Sequence, residues 1–372
     1  MRASRYVLAL LTAVALAACG GDDDNGQGFA TRFSAQVTFG DSLSDVGSYA
    51  VGTVRELGGG KFTINGDNTA RSPDLTGKNW TELMAAQFGL PAPCPAQTGL
   101  QGDAARGFLV PVQDNPGCYG YAQGGARVRD PVGPGNALTG SPLGALTVPV
   151  AQQIARHLVV AGGRFRGDEV VFVAAGGNDV LAQLTALTAG ATAAGASGGP
   201  AAAAAYVTDN SDEAVAAMAE AGADLATLVR TELVGRGANF VVVNNLADVA
   251  STPLGAAQSE PLQALIAAMV AAFNEQLLAG LAGEERVLLV DVHSLIRDQV
   301  SNPGAYGITN SNTPACGPNP LEGSSLVCNG SNVLPGGDVG RYLFADTVHL
   351  TPFGYALVAE HVSAEMMEKG WL

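Results

Sequence analysis

Three short stretches of the chain carry groups that could cooperate in acyl transfer: Gly40-Asp41-Ser42-Leu43, Gly176-Gly177-Asn178-Asp179 and Asp346-Thr347-Val348-His349. They supply a hydroxyl, an amide, and an imidazole with a carboxylate three residues before it. A serine hydroxyl is a weak nucleophile and needs a base within hydrogen-bond distance. Each stretch is short enough to occur by chance, but together they provide every group that an acyl-transfer site requires.

The predicted roles follow from residue type and position. Ser42 comes directly after a predicted strand, where an open α/β sheet presents side chains to a ligand crevice, so it is the predicted nucleophile. His349 is the predicted base. Asp346 precedes it by three residues, a spacing that lets the carboxylate accept the Nδ1 proton while Nε2 faces the serine.

A tetrahedral intermediate also needs hydrogen-bond donors, and removing one typically costs about 2.7 to 4 kcal/mol of transition-state stabilisation. Three candidates are the backbone N–H of Ser42, the backbone N–H of Gly125 and the side-chain amide of Asn178. Gly125 offers its N–H with no Cβ in the way. These groups form the predicted oxyanion hole.

Each stretch alone also has a purely structural interpretation. Gly-Asp-Ser is a common helix-capping turn, in which Asp41 stabilises the turn, and Gly-Gly-Asn-Asp is a loop signal. The last stretch precedes Thr351 and Pro352, which are typical of a helix N-cap and first helical position. The combination of all three in this order favours a catalytic site.

The elements that must position these residues alternate along the chain. Apolar runs predict strands, and longer segments with helical patterning predict helices between them. This alternation predicts an α/β fold: a three-layer α/β/α sandwich with a mostly parallel central sheet. The predicted strands are 35–39, 169–175, 239–243 and 286–290, and the predicted helices are 79–88, 149–160, 212–234 and 261–281.

Two biased segments interrupt the pattern. The Ala/Gly segment 186–205 has small side chains that bury little area, so its helix content stays open and we expect a surface excursion. The Gly/Pro/Asn-rich segment 302–337 is too long for an ordinary connection, which indicates a functional or stapled loop before the histidine motif.

The ordered blocks Gly40 to Asp45, Gly124 to Ala126, Gly176 to Asp179 and Asp346 to His349 resemble those of the SGNH/GDSL hydrolases. The match covers most of 33–372. The resemblance implies a flavodoxin-like fold and ester substrates, such as acyl lipids or short-chain acyl esters. It assigns the nucleophile and one oxyanion donor to Ser42, the other donors to Gly125 and Asn178, the base to His349 and its orienting carboxylate to Asp346. Within the second block, Gly124 is a possible substitute for Gly125.

Two other functions remain open at this point. The same family hosts carbohydrate O-acetylesterases, and a fold with its triad does not select the substrate. A non-catalytic surface lipoprotein that keeps a hydrolase scaffold for binding is the second alternative. The complete set of catalytic residue types argues against it.

The composition excludes some partners. The chain of 372 residues has 19 Lys and Arg against 34 Asp and Glu, a net charge of −15. Such a surface repels nucleic acid and anionic lipid headgroups, so we expect neither nucleic-acid binding nor electrostatic membrane binding. The oligomeric state is not readable from the sequence.

The first eighteen residues are typical of an export signal, with Arg2 and Arg5 before an apolar run at 7–16. This run is about half the roughly 20 residues that a spanning helix needs, and no later segment is predicted to span a membrane. The residues 16–19 resemble a bacterial lipobox, which implies lipid attachment to Cys19. Ordinary secretion after cleavage near Ala17 is the alternative.

This interpretation divides the chain into a signal peptide (1–18), a flexible tether from Cys19 (19–32) and a catalytic domain (33–372). Gly20 follows the lipobox cysteine where aspartate commonly signals inner-membrane retention in relatives. We therefore expect an exported, outer-membrane lipoprotein, anchored to the membrane by its lipid. Which face of the membrane it occupies stays open.

The cysteine count fits this expectation. Five cysteines in an oxidising compartment leave one unpaired unless Cys19 carries lipid. Of the three pairings of the other four, we favour the local ones, Cys94 with Cys118 and Cys316 with Cys328. Neither the cysteines nor the four histidines have the spacing of a zinc site, so we expect no metal and no cofactor.

Overall fold

The computed structural model describes residues 31–66, 75–336 and 338–372. The predicted signal peptide (1–18), the lipidation site Cys19 and nearly all of the predicted tether lie outside the described residues.

A parallel sheet forms the centre of the molecule. The strands of the molecule are β1 (Gln36–Gly40), β2 (Gln97–Gln101), β3 (Leu109–Asp114), β4 (Val170–Ala174), β5 (Phe240–Asn244) and β6 (Val287–Val290). The parallel sheet has the order β1-β4-β5-β6. All four predicted strands are confirmed, each with bounds within one residue of those expected. A separate antiparallel pair, β2-β3, was not predicted.

The register of the sheet determines where the functional loops meet. Gly40 at the end of β1 lies opposite Ala174 at the end of β4, and Ala174 lies opposite Asn244 at the end of β5. The carboxyl ends of the three strands therefore share one edge. Ser42 and Asn178 follow directly on two of them.

The helices cover both faces of this sheet, which confirms the three-layer α/β/α sandwich. The helices are α1 (Gly52–Glu56), α2 (Trp80–Gln87), α3 (Val150–Val160), α4 (Gly177–Leu228), α5 (Pro253–Ala256), α6 (Glu260–Leu281), α7 (Val292–Ser301) and α8 (Pro352–Glu368). Alternate residues of β4 face opposite layers. Val171 and Val173 pack in the apolar cluster formed with α3, α4 and α6, and Phe172 packs in the cluster formed with α2, α7 and α8.

Local signals fix several helix starts. Asn79 caps α2 in a capping box with Glu82. As the sequence indicated, Thr351 caps α8, accepting the Gly354 N–H at 3.0 Å, and Pro352 is its first residue. The predicted helices 79–88, 149–160 and 261–281 agree with α2, α3 and α6 to within one residue at each end.

The Ala/Gly segment forms a helical hairpin on the surface. Its two arms belong to α4, which is interrupted at Gly199 (φ 74°). A Cβ on Gly190 would lie 2.1 Å from the ring of Tyr206, so the arms run side by side in contact. The small side chains permit this close approach. The predicted helix 212–234 is the returning arm, continued by a π-helical turn (Val229–Leu233) and a 3-10 turn (Val234–Arg236).

Within the described residues, α6 has the length and apolar composition of a membrane span. One such helix is weak evidence, since core helices of globular proteins pass the same test. Here Ile266, Met269 and Phe273 are fully buried and pack in the cluster with the sheet and α4. This packing identifies α6 as a core helix.

Two disulfides staple long loops, and both are the local pairings that we favoured. Cys94 is bonded to Cys118, and Cys316 to Cys328. The second closes part of the long segment before the histidine motif, where the sequence indicated a stapled loop.

Candidate active site

Ser42 begins a tight turn at the end of β1. Gly40 has φ 148°, and a Cβ there would lie 2.1 Å from the Ala174 carbonyl oxygen, so no other residue fits. The buried side chain of Gln153 makes two hydrogen bonds to Gly40. Its Oε1 accepts the Gly40 N–H, and its Nε2 donates to the Gly40 carbonyl, both at 2.8 Å. The Asp41 carboxylate accepts the Leu43 N–H at 3.0 Å. The start of the turn is thus held on both sides.

The structure brings together the three side chains that the sequence nominated. His349 Nε2 lies 2.8 Å from Ser42 Oγ, although 307 positions separate the two residues. His349 Nδ1 lies 2.9 and 2.8 Å from the two oxygens of Asp346. With the carboxylate ionised, Nδ1 carries the proton and Nε2 accepts the serine O–H. This is the geometry of a nucleophile, its base and an orienting carboxylate.

Asp346 is buried but well supplied with donors. Its oxygens accept the backbone N–H groups of Val348 at 3.0 Å, His349 at 2.8 Å and Ser325 at 2.8 Å. Burial raises the pKa of this carboxyl, but the charge and hydrogen bond of His349 and the bond from Ser325 outweigh it. The net pKa is well below its usual range, so Asp346 stays ionised.

The predicted oxyanion donors are available at the same edge. Among the described residues, the backbone N–H groups of Ser42 and Gly125 have no hydrogen-bond partner. Asn178 Nδ2 donates one hydrogen to the Ala126 carbonyl at 2.9 Å, which leaves its second hydrogen. Gly124 donates its N–H to Asp45 at 2.9 Å. Of the two glycines that the sequence left open, Gly125 is therefore the one with a free donor.

The carboxyl groups around this edge have perturbed pKa values. Burial raises the pKa of Asp41 from 3.8 to about 7, against the opposing effects of the Leu43 N–H and His349. The hydrogen bond from the Leu43 N–H to the Asp41 carboxylate stabilises the turn, as the structural interpretation expected. Burial also raises the pKa of Asp179, which contacts Arg127 Nε at 3.1 Å and joins the start of α4 to the loop around Gly125.

A cavity of about 290 Å³ opens beside Ser42. Its walls are predominantly apolar, and they extend from the rim near His349 into the layer of α7 and α8. Phe62 forms part of the rim, with its ring centroid 4.9 Å from that of the imidazole. The apolar lining includes Phe62, Leu143, Leu326, Val292, Ile296 and Phe344.

Sequence reasoning missed several groups that contact this site. The Ser325 N–H, the Gln153 clamp and the Phe62 ring have no motif, because a backbone donor, a buried amide and a packed ring occur throughout proteins. Within the described ranges, no group of three or more His, Cys, Asp or Glu side chains is arranged to hold a metal ion.

Comparison with known proteins points to a family. The sequence model of the GDSL-like lipase/acylhydrolase family matches residues 37–362. The chain is also 27% identical over 349 residues to an uncharacterized protein in the trpE-trpG intergenic region of Pseudomonas putida. That alignment covers 88% of this chain and 48% of the relative, so the chain spans about half the length of the curated protein it matches.

Proposed function

The chain belongs to the GDSL-like lipase/acylhydrolase family, and we propose that it is a carboxylic ester hydrolase, an exported serine esterase that works through an acyl-enzyme on Ser42. The observation that carries the proposal is the continuous contact from Ser42 Oγ through His349 to Asp346, beside an apolar cavity.

The proposed reaction follows from this geometry. Ser42 Oγ attacks the ester carbonyl while His349 Nε2 takes its proton. The developing oxyanion accepts hydrogen bonds from the N–H groups of Ser42 and Gly125 and from the Asn178 amide. His349 then protonates the departing alcohol, and water, activated by the same imidazole, releases the acid from the acyl-enzyme. Asp346 holds the ring and stabilises its charge throughout.

The cavity supports acyl esters longer than acetate as substrates. Its walls include Phe62 near the nucleophile and Ile296 and Phe344 further into the core. An acyl chain placed there is removed from water, which is worth about 0.8 kcal/mol per buried methylene. A sugar acetate would leave this apolar surface unused.

Two measurements test the proposal. The Ser42→Ala variant should fold as the parent does, judged by circular dichroism, but should not hydrolyse nitrophenyl esters or react with a fluorophosphonate probe. Parental turnover by this variant would reject the nucleophile assignment. A series of nitrophenyl esters should show kcat/KM rising from acetate to medium-chain esters. Faster release of acetate from acetylated glycans would instead support the O-acetylesterase alternative.

We also propose lipid anchoring through Cys19 after export, with the outer membrane as the destination. The lipobox-like residues 16–19 support this, and the two disulfides of the folded domain are typical of an oxidising compartment. Mass spectrometry of the mature N-terminus should find acyl chains on Cys19. A mature peptide that begins at Ala18 with an unmodified cysteine would reject the anchor.

A further inference from the structure

Gly124 is held at both ends by side chains that the proposed chemistry does not use. Its N–H donates to Asp45 Oδ2 at 2.9 Å, and its carbonyl oxygen accepts the hydroxyl of Tyr49 at 2.7 Å. Asp45 and Tyr49 are fully buried. Asp45 also accepts the N–H groups of Gly47 and Ser48. The turn that follows Ser42 is thus hydrogen-bonded to the loop that carries Gly124 and Gly125.

The Tyr49 contact bears on the oxyanion hole through the geometry of one peptide bond. The Gly124 carbonyl and the Gly125 N–H belong to the same planar unit, and they point in opposite directions. Fixing the carbonyl therefore fixes the direction of the free N–H. A hydrogen bond accepted by the carbonyl also polarises the unit, which strengthens the N–H as a donor.

A second group holds the tyrosine hydroxyl. The backbone N–H of Thr147 donates to Tyr49 Oη at 3.3 Å. Thr147 has φ 48°, a left-handed conformation that a β-branched residue adopts only when its surroundings impose it. They do so here, because its hydroxyl donates to the Pro131 carbonyl and accepts from Asn136, both at 2.8 Å.

Thr147 also packs against the proposed donor. Its Cγ2 lies 2.6 Å from the position that a Cβ on Gly125 would take, so the methyl group contacts the glycine backbone directly. Backbone strain persists only where the surrounding structure imposes it, and strained residues cluster at functional sites. The strain at Thr147 thus lies directly behind the Gly125 peptide.

We propose that Tyr49 is a positioning residue of the oxyanion hole: its hydroxyl, seated by the strained Thr147 backbone, aims the Gly125 N–H at the developing oxyanion. This inference rests on the proposed function, because it assigns a role within the same reaction. Burial raises the pKa of Tyr49 far above its usual value, so the hydroxyl stays a donor at any pH at which the enzyme works.

The Tyr49→Phe variant removes only the hydroxyl. Complete loss of an oxyanion donor lowers kcat about 10²- to 10³-fold, and misdirection of one should cost part of that. We expect kcat for a nitrophenyl ester to fall about tenfold, with KM changed less than about twofold. An alkylboronic acid, which forms a tetrahedral oxyanion on the serine, should bind more weakly by a similar factor. A chain-matched alcohol, which fills the cavity without forming the oxyanion, should bind as before.

Tyr121→Phe is the matched control. Tyr121 is a buried tyrosine in the same loop, but its hydroxyl faces His157 at 3.4 Å and does not contact the glycines. It should keep parental kcat and boronic acid affinity. If Tyr49 had only a structural role, Tyr49→Phe would lower thermal stability and nothing else. Parental kcat and parental boronic acid affinity in the folded Tyr49→Phe variant would therefore overturn the inference.

If Tyr49→Phe does not fold, Thr147→Val decides, because it removes the hydroxyl bonds to Pro131 and Asn136 that hold the strained backbone under the Tyr49 hydroxyl, while it keeps the methyl group behind Gly125. A fall in kcat of about threefold at unchanged KM would support the inference, and unchanged kcat would overturn it. Failure of the proposed function is separately visible: a parent protein that is not labelled by a fluorophosphonate, or a Ser42→Ala variant with parental turnover, would reject the site and the inference with it.

Discussion

Removing the disulfide between Cys316 and Cys328 should lower both stability and turnover. The loop that it closes carries the Ser325 N–H, which donates to the carboxylate of Asp346, the proposed orienting group of the triad, at 2.8 Å. The same loop supplies Leu326 to the wall of the cavity. Without the bond, we expect the loop to sample conformations in which this donor is withdrawn.

The magnitudes follow from two separate effects. The bond joins residues 12 apart, and the chain-entropy treatment gives about 3 kcal/mol of stabilisation for a loop of that length. Asp346 accepts three backbone N–H groups as well as His349 Nδ1. One hydrogen bond to a charged group is worth about 1.5 to 3 kcal/mol, and a water molecule that replaces the Ser325 N–H restores part of this energy. If about 1.4 kcal/mol of transition-state stabilisation is still lost, kcat falls about tenfold.

The other disulfide provides a control of similar stability but different position. Cys94 and Cys118 are 24 residues apart, which gives about 3.5 kcal/mol by the same treatment. This bond does not contact the triad. We therefore compare Cys316→Ser/Cys328→Ser with Cys94→Ser/Cys118→Ser in nitrophenyl ester hydrolysis, at a temperature where circular dichroism shows both variants to be folded.

We expect the first variant to lose about tenfold in kcat and the second to stay within about twofold of the parent. Parental kcat in the folded Cys316→Ser/Cys328→Ser variant would refute the reasoning, since Asp346 would then not depend on the loop. Equal losses in the two variants would refute it as well, because the effect would then follow stability and not position.

Three further outcomes are expected. Asp346→Asn should lower kcat about 10³- to 10⁴-fold without unfolding the domain, because the imidazole loses its orienting charge. Steady-state kinetics measure this loss, and an unchanged kcat would remove Asp346 from the triad. Asn178→Ala should lower kcat about 10²- to 10³-fold with little change in KM, and parental kcat would remove the amide from the oxyanion hole. Burial lowers the pKa of His157 from 6.5 to about 4. The unfolded state then binds more protons between these values, so this residue costs the fold roughly 3 kcal/mol as the pH falls from about 6.5 to about 4. Urea titrations of His157→Phe should lack that component of the pH dependence, and curves that parallel the parent would contradict the assignment.

The parallel sheet could be predicted because its signal is local. Strands β4 and β5 are nearly continuous valine runs, as expected for strands buried on both faces, and they lie between helical segments. The hairpin β2-β3 was missed because its second strand, Leu109–Asp114, is mostly exposed and contains Pro111, so neither burial nor alternation marks it. Helix α7 was missed because six of its ten residues are polar.

The helix content of the Ala/Gly segment could not be predicted from its composition. Alanine favours helix and glycine opposes it, so propensity alone gave no answer for 186–205. The hairpin forms because glycines such as Gly190 let the returning arm approach closely, with Tyr206 packed over the gap. That contact joins residues 16 positions apart, and the individual arms do not reveal it.

Some groups of the candidate site could be predicted from the sequence, and others could not. Ser42, His349 and Asp346 could be nominated because their chemistry needs particular side chains, and only a few residue types supply them. The donor of Ser325 is a backbone N–H that every residue except proline possesses, so its identity leaves no trace in the sequence. What makes it functional is the position that the Cys316–Cys328 loop gives it.

The spacing within the first motif has a consequence for how the site is assembled. Ser42 and Asp45 lie three residues apart on the same turn, and Asp45 holds Gly124, which precedes the free N–H of Gly125. The proposed nucleophile and one proposed oxyanion donor are thus both attached to a single turn and not to separate loops. Since a misplacement of about 1 Å can cost 10²-fold in rate, this shared anchor keeps their separation fixed while the histidine arrives from the far end of the chain. In the proposed mechanism, the residues after Ser42 therefore position the oxyanion hole, whereas Asp346 and the disulfide-closed loop position the base.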